Sequence, residues 1–184
     1  MSDIVNTAVA LTALLWAIGQ FWWMHWHKGE ITLGAPRSYA AIAHQKDDFL
    51  LVRLPLVFYN AGAAAIVVQN LRLGLEQNGR KSPLLHFNQT VSKLDVEQEG
   101  DWATQFPVRG REAVPLICEF LRKPRESFVF TAGDCDAVLE GKFDQDGSWR
   151  VLVKFKLYTP GSYLSTLNSN RTLIAYDNDP DRER

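Results

Sequence analysis

The side chains with the most chemical scope in this 184-residue chain are four histidines, two cysteines and two acidic turns. His25 and His27 flank Trp26, while His44 and His86 stand singly. A lone histidine seldom works as a catalytic base without a nucleophile or an orienting partner, so His44 and His86 read as ordinary surface or strand residues. Cys118 and Cys135 have neither C-x-x-C spacing nor a zinc-type Cys/His cluster around them. Both fall on apolar phases of predicted strands, which makes them buried small hydrophobes; in an oxidising compartment one bond between them would be open. Asp134-Cys135-Asp136 and Asp144-Gln145-Asp146-Gly147 offer carboxylates to a cation. Neither has the ligand count or the closing Glu of an EF-hand loop, and turn chemistry accounts for them. No G-x-S-x-G elbow, Walker loop, dinucleotide fingerprint or H-E-x-x-H is present. The chain is therefore expected not to be an enzyme.

The densest constellation is Trp22-Trp23-Met24-His25-Trp26-His27. Large amphipathic rings suit the headgroup region, where an indole keeps its N–H wet and its body buried, and such belts need no further function. A neutral imidazole at His25 has the chemistry of an axial ligand to a haem or chlorophyll-type pigment. Axial ligands usually lie deeper in the bilayer and need a bundle partner, so no cofactor is expected and the anchoring reading is preferred.

The element that positions this collar is legible directly. From Ile4 to Met24 no side chain is charged, and about 20 such residues at about 1.5 Å each cross a bilayer core of roughly 30 Å. A cleaved signal peptide competes with this reading, but Asp3 is the one charged side chain before the helix, and the Trp cluster stands where a small-residue cleavage site belongs. Residues 1–28 are expected to be a single transmembrane helix with an aromatic interfacial collar. Trp16, Phe21, Trp22, Trp23 and Trp26 are the candidate interface residues, and Thr12, Ala13, Ala17 and Gly19 supply small or hydrogen-bonding surface. Lys28, Arg37 and Lys46 follow the helix and no Lys or Arg precedes it, which points to a domain on the cytoplasmic side of a bacterial inner membrane.

Beyond the helix, residues 29–160 read as one antiparallel β domain. The net charge of -1 and the lack of a basic patch disfavour nucleic acid. Leu50, Val52, Leu54, Leu56 and Phe58 alternate with other residues and can line one face of a strand; Pro55 calls for an edge or a bulge. Tyr59-Asn60-Ala61-Gly62 is expected to turn, since Asn and Gly tolerate positive φ. The apolar phase of Ile66 and Val68 then shifts to that of Leu71, Leu73 and Leu75, which predicts a β-bulge at Gln69 and Asn70. Asn78-Gly79 predicts a type I′ hairpin leading to a strand over 84–91. Val114, Leu116, Cys118 and Phe120 form one further alternation, and Cys135, Ala137, Leu139 and Phe143 another. Trp149, Val151, Val153, Phe155 and Leu157 are expected to share a single apolar face. Residues 161–184 are polar and are expected to be a disordered extension when free.

The stretch from Leu54 to Gly62, followed by Ile66 to Leu73, resembles the strand, Asn-x-Gly turn and strand of bacterial immunoglobulin-like adhesion and accessory domains. That resemblance covers about twenty residues of a turn chemistry common to many hairpins. It implies an Ig-like β-sandwich and a binding or assembly role, and it assigns no functional residue.

The resulting expectation is a mainly β protein: a transmembrane helix followed by an antiparallel Ig-like sandwich. It would serve as a non-catalytic accessory or structural subunit of a larger membrane complex, photosynthetic or respiratory by analogy, with the membrane and other membrane-protein subunits as partners. The other reading is a free-standing, membrane-anchored extracytoplasmic module that binds a peptide, glycan or metal. An unfamiliar enzyme would need converging polar groups in a cleft, and the sequence nominates none.

Overall fold

The computed structural model describes residues 2–26, 29–44, 49–95, 100–122, 128–143, 147–169 and 173–178. Helix α1, Ser2–Trp26, covers the uncharged segment, as expected from its length and composition. After it come β1 Ile31–Thr32, β2 Ser38–His44, β3 Phe49–Asn60, β4 Ile66–Gln77, β5 Arg80–Lys81 and β6 Leu85–Val91. The chain continues through β7 Asp101–Trp102, β8 Phe106–Val108, β9 Ala113–Arg122, β10 Gly133–Phe143 and β11 Trp149–Thr159, and closes with a 3-10 turn Gly161–Tyr163, α2 Leu164–Ser169 and β12 Ala175–Asp177.

All strand pairings among the described residues are antiparallel, and the path runs β11-β10-β4-β6-β9-β3-β2-β12. The mainly β expectation holds. The Ig-like sandwich is not confirmed: the strands form one continuous sheet that curls on itself, where a sandwich has two separately bonded sheets. The inner face is built from the alternations. Leu50, Val52, Leu54, Leu56 and Phe58 of β3 are all buried, with Leu71, Leu73 and Leu75 of β4, Cys118 and Phe120 of β9, and Cys135, Ala137 and Leu139 of β10.

Two bulges keep that face apolar. Lys142 pairs with Asn70 and Phe143 with Val68, so Gln69 is the extra residue that moves β4 from one phase to the other. Leu139 pairs with Val153 and Glu140 with Val151, leaving Leu152 extra in β11. This second bulge corrects the single apolar face expected for β11. Val151 is half exposed at 50%, and Leu152 packs against the core in its place. Gly141 gives it room, since a Cβ there would lie 2.8 Å from Leu152 Cδ1. The hairpin at Asn78-Gly79 has φ of 51° and 76°, the left-handed pair a type I′ turn requires. Pro55 pairs with Ile117 of β9 and lies between the stretches of β3 paired with β2 and with β1, so on that other edge it has no strand partner to lose.

The ends of the sheet path are latched by polar groups. The Tyr39 hydroxyl of β2 donates to the Tyr158 carbonyl of β11 at 2.7 Å. Asn178 imitates a strand residue: its Oδ1 accepts from the Tyr158 N–H at 2.8 Å, and its Nδ2 donates to the carbonyls of Lys156 at 2.8 Å and Pro36 at 3.0 Å. Its own N–H donates to the Arg37 carbonyl at 2.8 Å. Asn178→Ala should lower the unfolding free energy by about 1–3 kcal/mol, because those partners are left partly buried and unpaired. Urea titration checks this; an unchanged midpoint would mean that the latch contributes nothing.

Where it is described, at 161–169 and 173–178, the stretch after Pro160 is not the expected loose extension; residues 170–172 and 179–184 lie outside the described part. Leu167, Leu173 and Tyr176 are buried, the Asn168 side chain bonds both the N–H and the carbonyl of Phe130, and β12 pairs with β2. The amides of Asn168 and Asn178 are spent on backbone groups, and Leu167, Leu173 and Tyr176 anchor the described part to the core.

Candidate membrane interface

Every described side chain from Ile4 to Trp23 is exposed, so the β body does not serve as the cover for this apolar helix. At about 100° per residue, Thr12, Trp16, Gly19, Gln20 and Trp23 fall within roughly 100° of one another. Phe21 and Trp22 point more than about 100° away from Trp16, so the aromatic collar also carries a stripe. Leu15, Trp16, Gly19, Gln20 and Trp23 line a notch of about 320 Å³ on that stripe, and a Cβ added at Gly19 would meet nothing within 4 Å. The Thr12 hydroxyl is satisfied within the helix by the Ala8 carbonyl at 2.8 Å. The Trp16 indole N–H and the Gln20 amide are exposed. Trp16 stands seven residues, about 10 Å, inside the level of Trp23. The side chains of His25, Trp26 and His44, together with residues 27, 28 and 45–48, lie outside the described part.

The junction of helix and body is built on Asn60 and Gly29. Asn60 is fully buried, and its side chain accepts from the N–H groups of Glu30 and Gly62, both at 3.1 Å, and donates to the carbonyls of Ala64 at 2.8 Å and Val108 at 3.1 Å. Neither Asn60 nor Gly62 has a positive φ, which corrects the reason given for this turn: it is held by the Asn60 amide. A Cβ on Gly29 would lie 2.5 Å from the Ala64 oxygen, so the chain leaving the helix is pressed against the β3–β4 loop.

On the outer face of the body, β3, β9 and the β6–β7 region enclose a groove of about 550 Å³ with Pro55, Val57, Pro115 and Ile117 among its apolar walls and Thr90, Ser92 and Asp101 among its polar ones. Near it, and missed by the period-two reading, is a buried ion pair. Arg53 of β3 and Glu119 of β9 are each 3% exposed and meet at 2.8 Å. Asn88 donates to the other Glu119 oxygen at 3.0 Å, and Arg53 reaches the Leu94 carbonyl at 3.3 Å. The signal available was Leu51, whose apolar side chain on the odd phase of β3 reports a second covered face.

The other polar candidates resolve into structure. Asp134 is engaged by Lys156 Nζ at 2.8 Å, and the His86 Nε2 lies 3.1 Å from Arg122 Nη1. Asp144, Gln145 and Asp146 lie outside the described residues, among which no group of three or more His, Cys, Asp or Glu side chains converges as for a metal. Cys118 and Cys135 are buried and unbridged. Burial pushes both thiols from their ordinary 9.0 up to about 12, with Asp136 adding to the effect at Cys135. Two results are expected. Iodoacetamide at pH 8 should leave both thiols unmodified in the folded protein and modify both in urea. Their contribution to stability should be complete below about pH 9 and fade as pH rises toward 12, because the unfolded chain releases those protons first. Rapid alkylation of the folded protein would contradict the burial.

No protein-family model matches the chain, and no curated protein matches it, so the resemblance to immunoglobulin-like domains has no support from either. Among solved structures, the chain is similar to a protein from Archaeoglobus fulgidus, at 11% identity and a TM-score of 0.40 over 72% of this chain and 98% of that one. It is also similar to a putative lipoprotein from Bacillus subtilis, at 12% identity and a TM-score of 0.41 over 77% of this chain and 41% of that one. Neither likeness bears on family or activity.

Proposed function

We propose that this chain is a single-pass, non-catalytic accessory subunit of a larger membrane complex, with α1 docked against partner helices and the β body holding neighbouring subunits at the membrane surface. The observation that supports it most is the stripe formed by Thr12, Trp16, Gly19, Gln20 and Trp23. The Trp16 indole N–H, about 10 Å inside the level of Trp23, finds no water in hydrocarbon, where a polar group left unpaired costs several kcal/mol; the Gln20 carboxamide, about 5 Å inside Trp23 and beside Phe21 at the collar's edge, adds a second hydrogen-bonding group to the same stripe. A partner helix that seats in the notch over Gly19 and accepts those hydrogen bonds removes the cost. The basic residues that follow the helix favour a cytoplasmic body in a bacterial inner membrane. A respiratory or photosynthetic complex fits this shape by analogy alone.

The test is Trp16→Phe combined with Gln20→Leu in the full chain. These changes keep the helix apolar and remove the hydrogen-bonding groups, so the variant should remain in the membrane after alkaline extraction while losing about ten-fold or more of its co-purifying subunits, as the loss of two interhelical hydrogen bonds of about 1 kcal/mol each implies. Undiminished co-purification would sink the stripe as the docking face. The groove walled by Pro55, Val57, Pro115 and Ile117 favours a second reading, a membrane-anchored extracytoplasmic module that takes a peptide, glycan or metal.

A further inference from the structure

We propose that the β3–β4 loop and the β8–β9 turn form a lipid-contacting tip, with residues 61–65 at the boundary of headgroups and acyl chains and Arg109 and Arg111 on lipid phosphates. The proposal rests on α1 spanning the bilayer. Three facts place this tip on the membrane. First, only residues 27 and 28 separate the end of α1 at Trp26 from Gly29, so Gly29 lies within about 11 Å of the helix end. Second, Gly29 and Glu30 are fixed to this end of the body by the Ala64 carbonyl, the Ile66 side chain and the Asn60 amide, and a Cβ on Gly110 would lie 2.0 Å from the Ala63 oxygen, so the two loops are packed as one tip. Third, the loop Ala61-Gly62-Ala63-Ala64-Ala65 has no polar side chain, whereas loops facing water are built from polar and turn-forming residues.

The neighbouring charges suit a phosphate layer. Arg109 is 80% exposed over its side chain and lies 3.9 Å from Glu112, a surface pair of little strength that does not hold the guanidinium back from a phosphate. Arg111 is exposed with φ of 61°, and its N–H is shared between the Asn60 and Gly62 carbonyls at 2.9 and 3.0 Å. A left-handed backbone there would suit Gly better, yet an arginine occupies the position. Among the described residues Glu30 and Glu112 are the acidic groups beside these two loops; on the adjacent β10–β11 hairpin Lys142 and Arg150 are matched in number by Asp144 and Asp146, which lie outside the described residues, so the positive charge of the tip rests on Arg109 and Arg111. Val57 and Tyr59, both exposed, extend the apolar surface up β3.

The full chain reconstituted in vesicles of phosphatidylcholine and phosphatidylglycerol in equal parts provides the test, with an environment-sensitive probe on Ala65→Cys or, at the opposite end of the body, on Ala132→Cys. The two native thiols are buried and stay unlabelled. Spin-labelled lipid should quench the probe at position 65 and not at position 132, and Arg109→Gln and Arg111→Gln should each lower docking of the tip by about five-fold on these vesicles. Equal quenching at the two sites in chain that resists alkaline extraction overturns the tip while leaving the anchor intact. Release of the chain by alkali overturns the anchor and the tip together. Quenching at position 65 that ignores both arginine substitutions overturns their role on phosphate.

Discussion

Glu119→Ala should destabilise the β body by about 3–5 kcal/mol, the largest single effect expected outside the helix. The Arg53 guanidinium cannot turn to water when its partner is removed, because it lies beneath the 92–95 segment, whose Leu94 carbonyl it meets at 3.3 Å, and only 3% of its side chain is exposed. The carbonyls of Leu94 and Lys93, at 3.3 and 3.5 Å, do not replace two contacts at 2.8 Å with a carboxylate. Against a typical total of about 5–15 kcal/mol, the loss leaves a substantially unfolded population at modest urea. Replacing both partners, Arg53→Met with Glu119→Leu, should restore most of the stability, since no buried charge then lacks a counterion. A single variant that unfolds within 1 kcal/mol of the parent, or a double variant no better than the single, would contradict this assignment of the pair.

Asn60→Ala follows, at about 3 kcal/mol. It leaves two N–H groups and two carbonyls without their partner at a site closed to solvent, and partial rearrangement recovers some of the cost. Asn60→Asp separates the two halves of the amide. A carboxylate still accepts from Glu30 and Gly62 but faces the carbonyl oxygens of Ala64 and Val108. Its pKa in the folded state is then raised, so the stability of the variant is greatest below the ordinary Asp value near 4 and falls as pH rises through the folded value. Chemical denaturation of Asn60→Asp at pH 4 and pH 7 reads this directly, and a variant less stable at pH 4 would show that the donated hydrogen bonds matter little.

The parts of the fold legible in the sequence are those governed by local period and turn chemistry. The phase change around Gln69 placed one bulge, and Asn78-Gly79 placed the I′ hairpin, because each signal lies within a few residues. The second bulge was not legible: Leu152 and Val151 are both apolar, and only packing against Gly141 decides which turns inward. Arg53 and Glu119 lie 66 residues apart on what a two-residue period labels as outward positions, and they are buried because the sheet's second face is covered by Leu94 and by Leu173 with Ala40 and Ile42. Asn178 was hidden in a polar tail for a similar reason, since its worth comes from the curl that brings β11 to the stretch before β2. At the candidate interface the aromatic residues were legible by type. The division of Trp16 and Trp23 from Phe21 and Trp22 follows from helical phase, which residue type alone does not carry.

The most direct test of a subunit role is to purify the tagged full chain from its native membrane in mild detergent, identify what accompanies it by mass spectrometry, and record an absorption spectrum of the same fraction. Stoichiometric recovery with the subunits of one large complex is the expected result, and pigment or haem bands from those subunits would name the process served. Recovery of this chain alone and colourless, at the mass of its own detergent micelle, would contradict the subunit role and leave the groove beside β9 as the feature to explain.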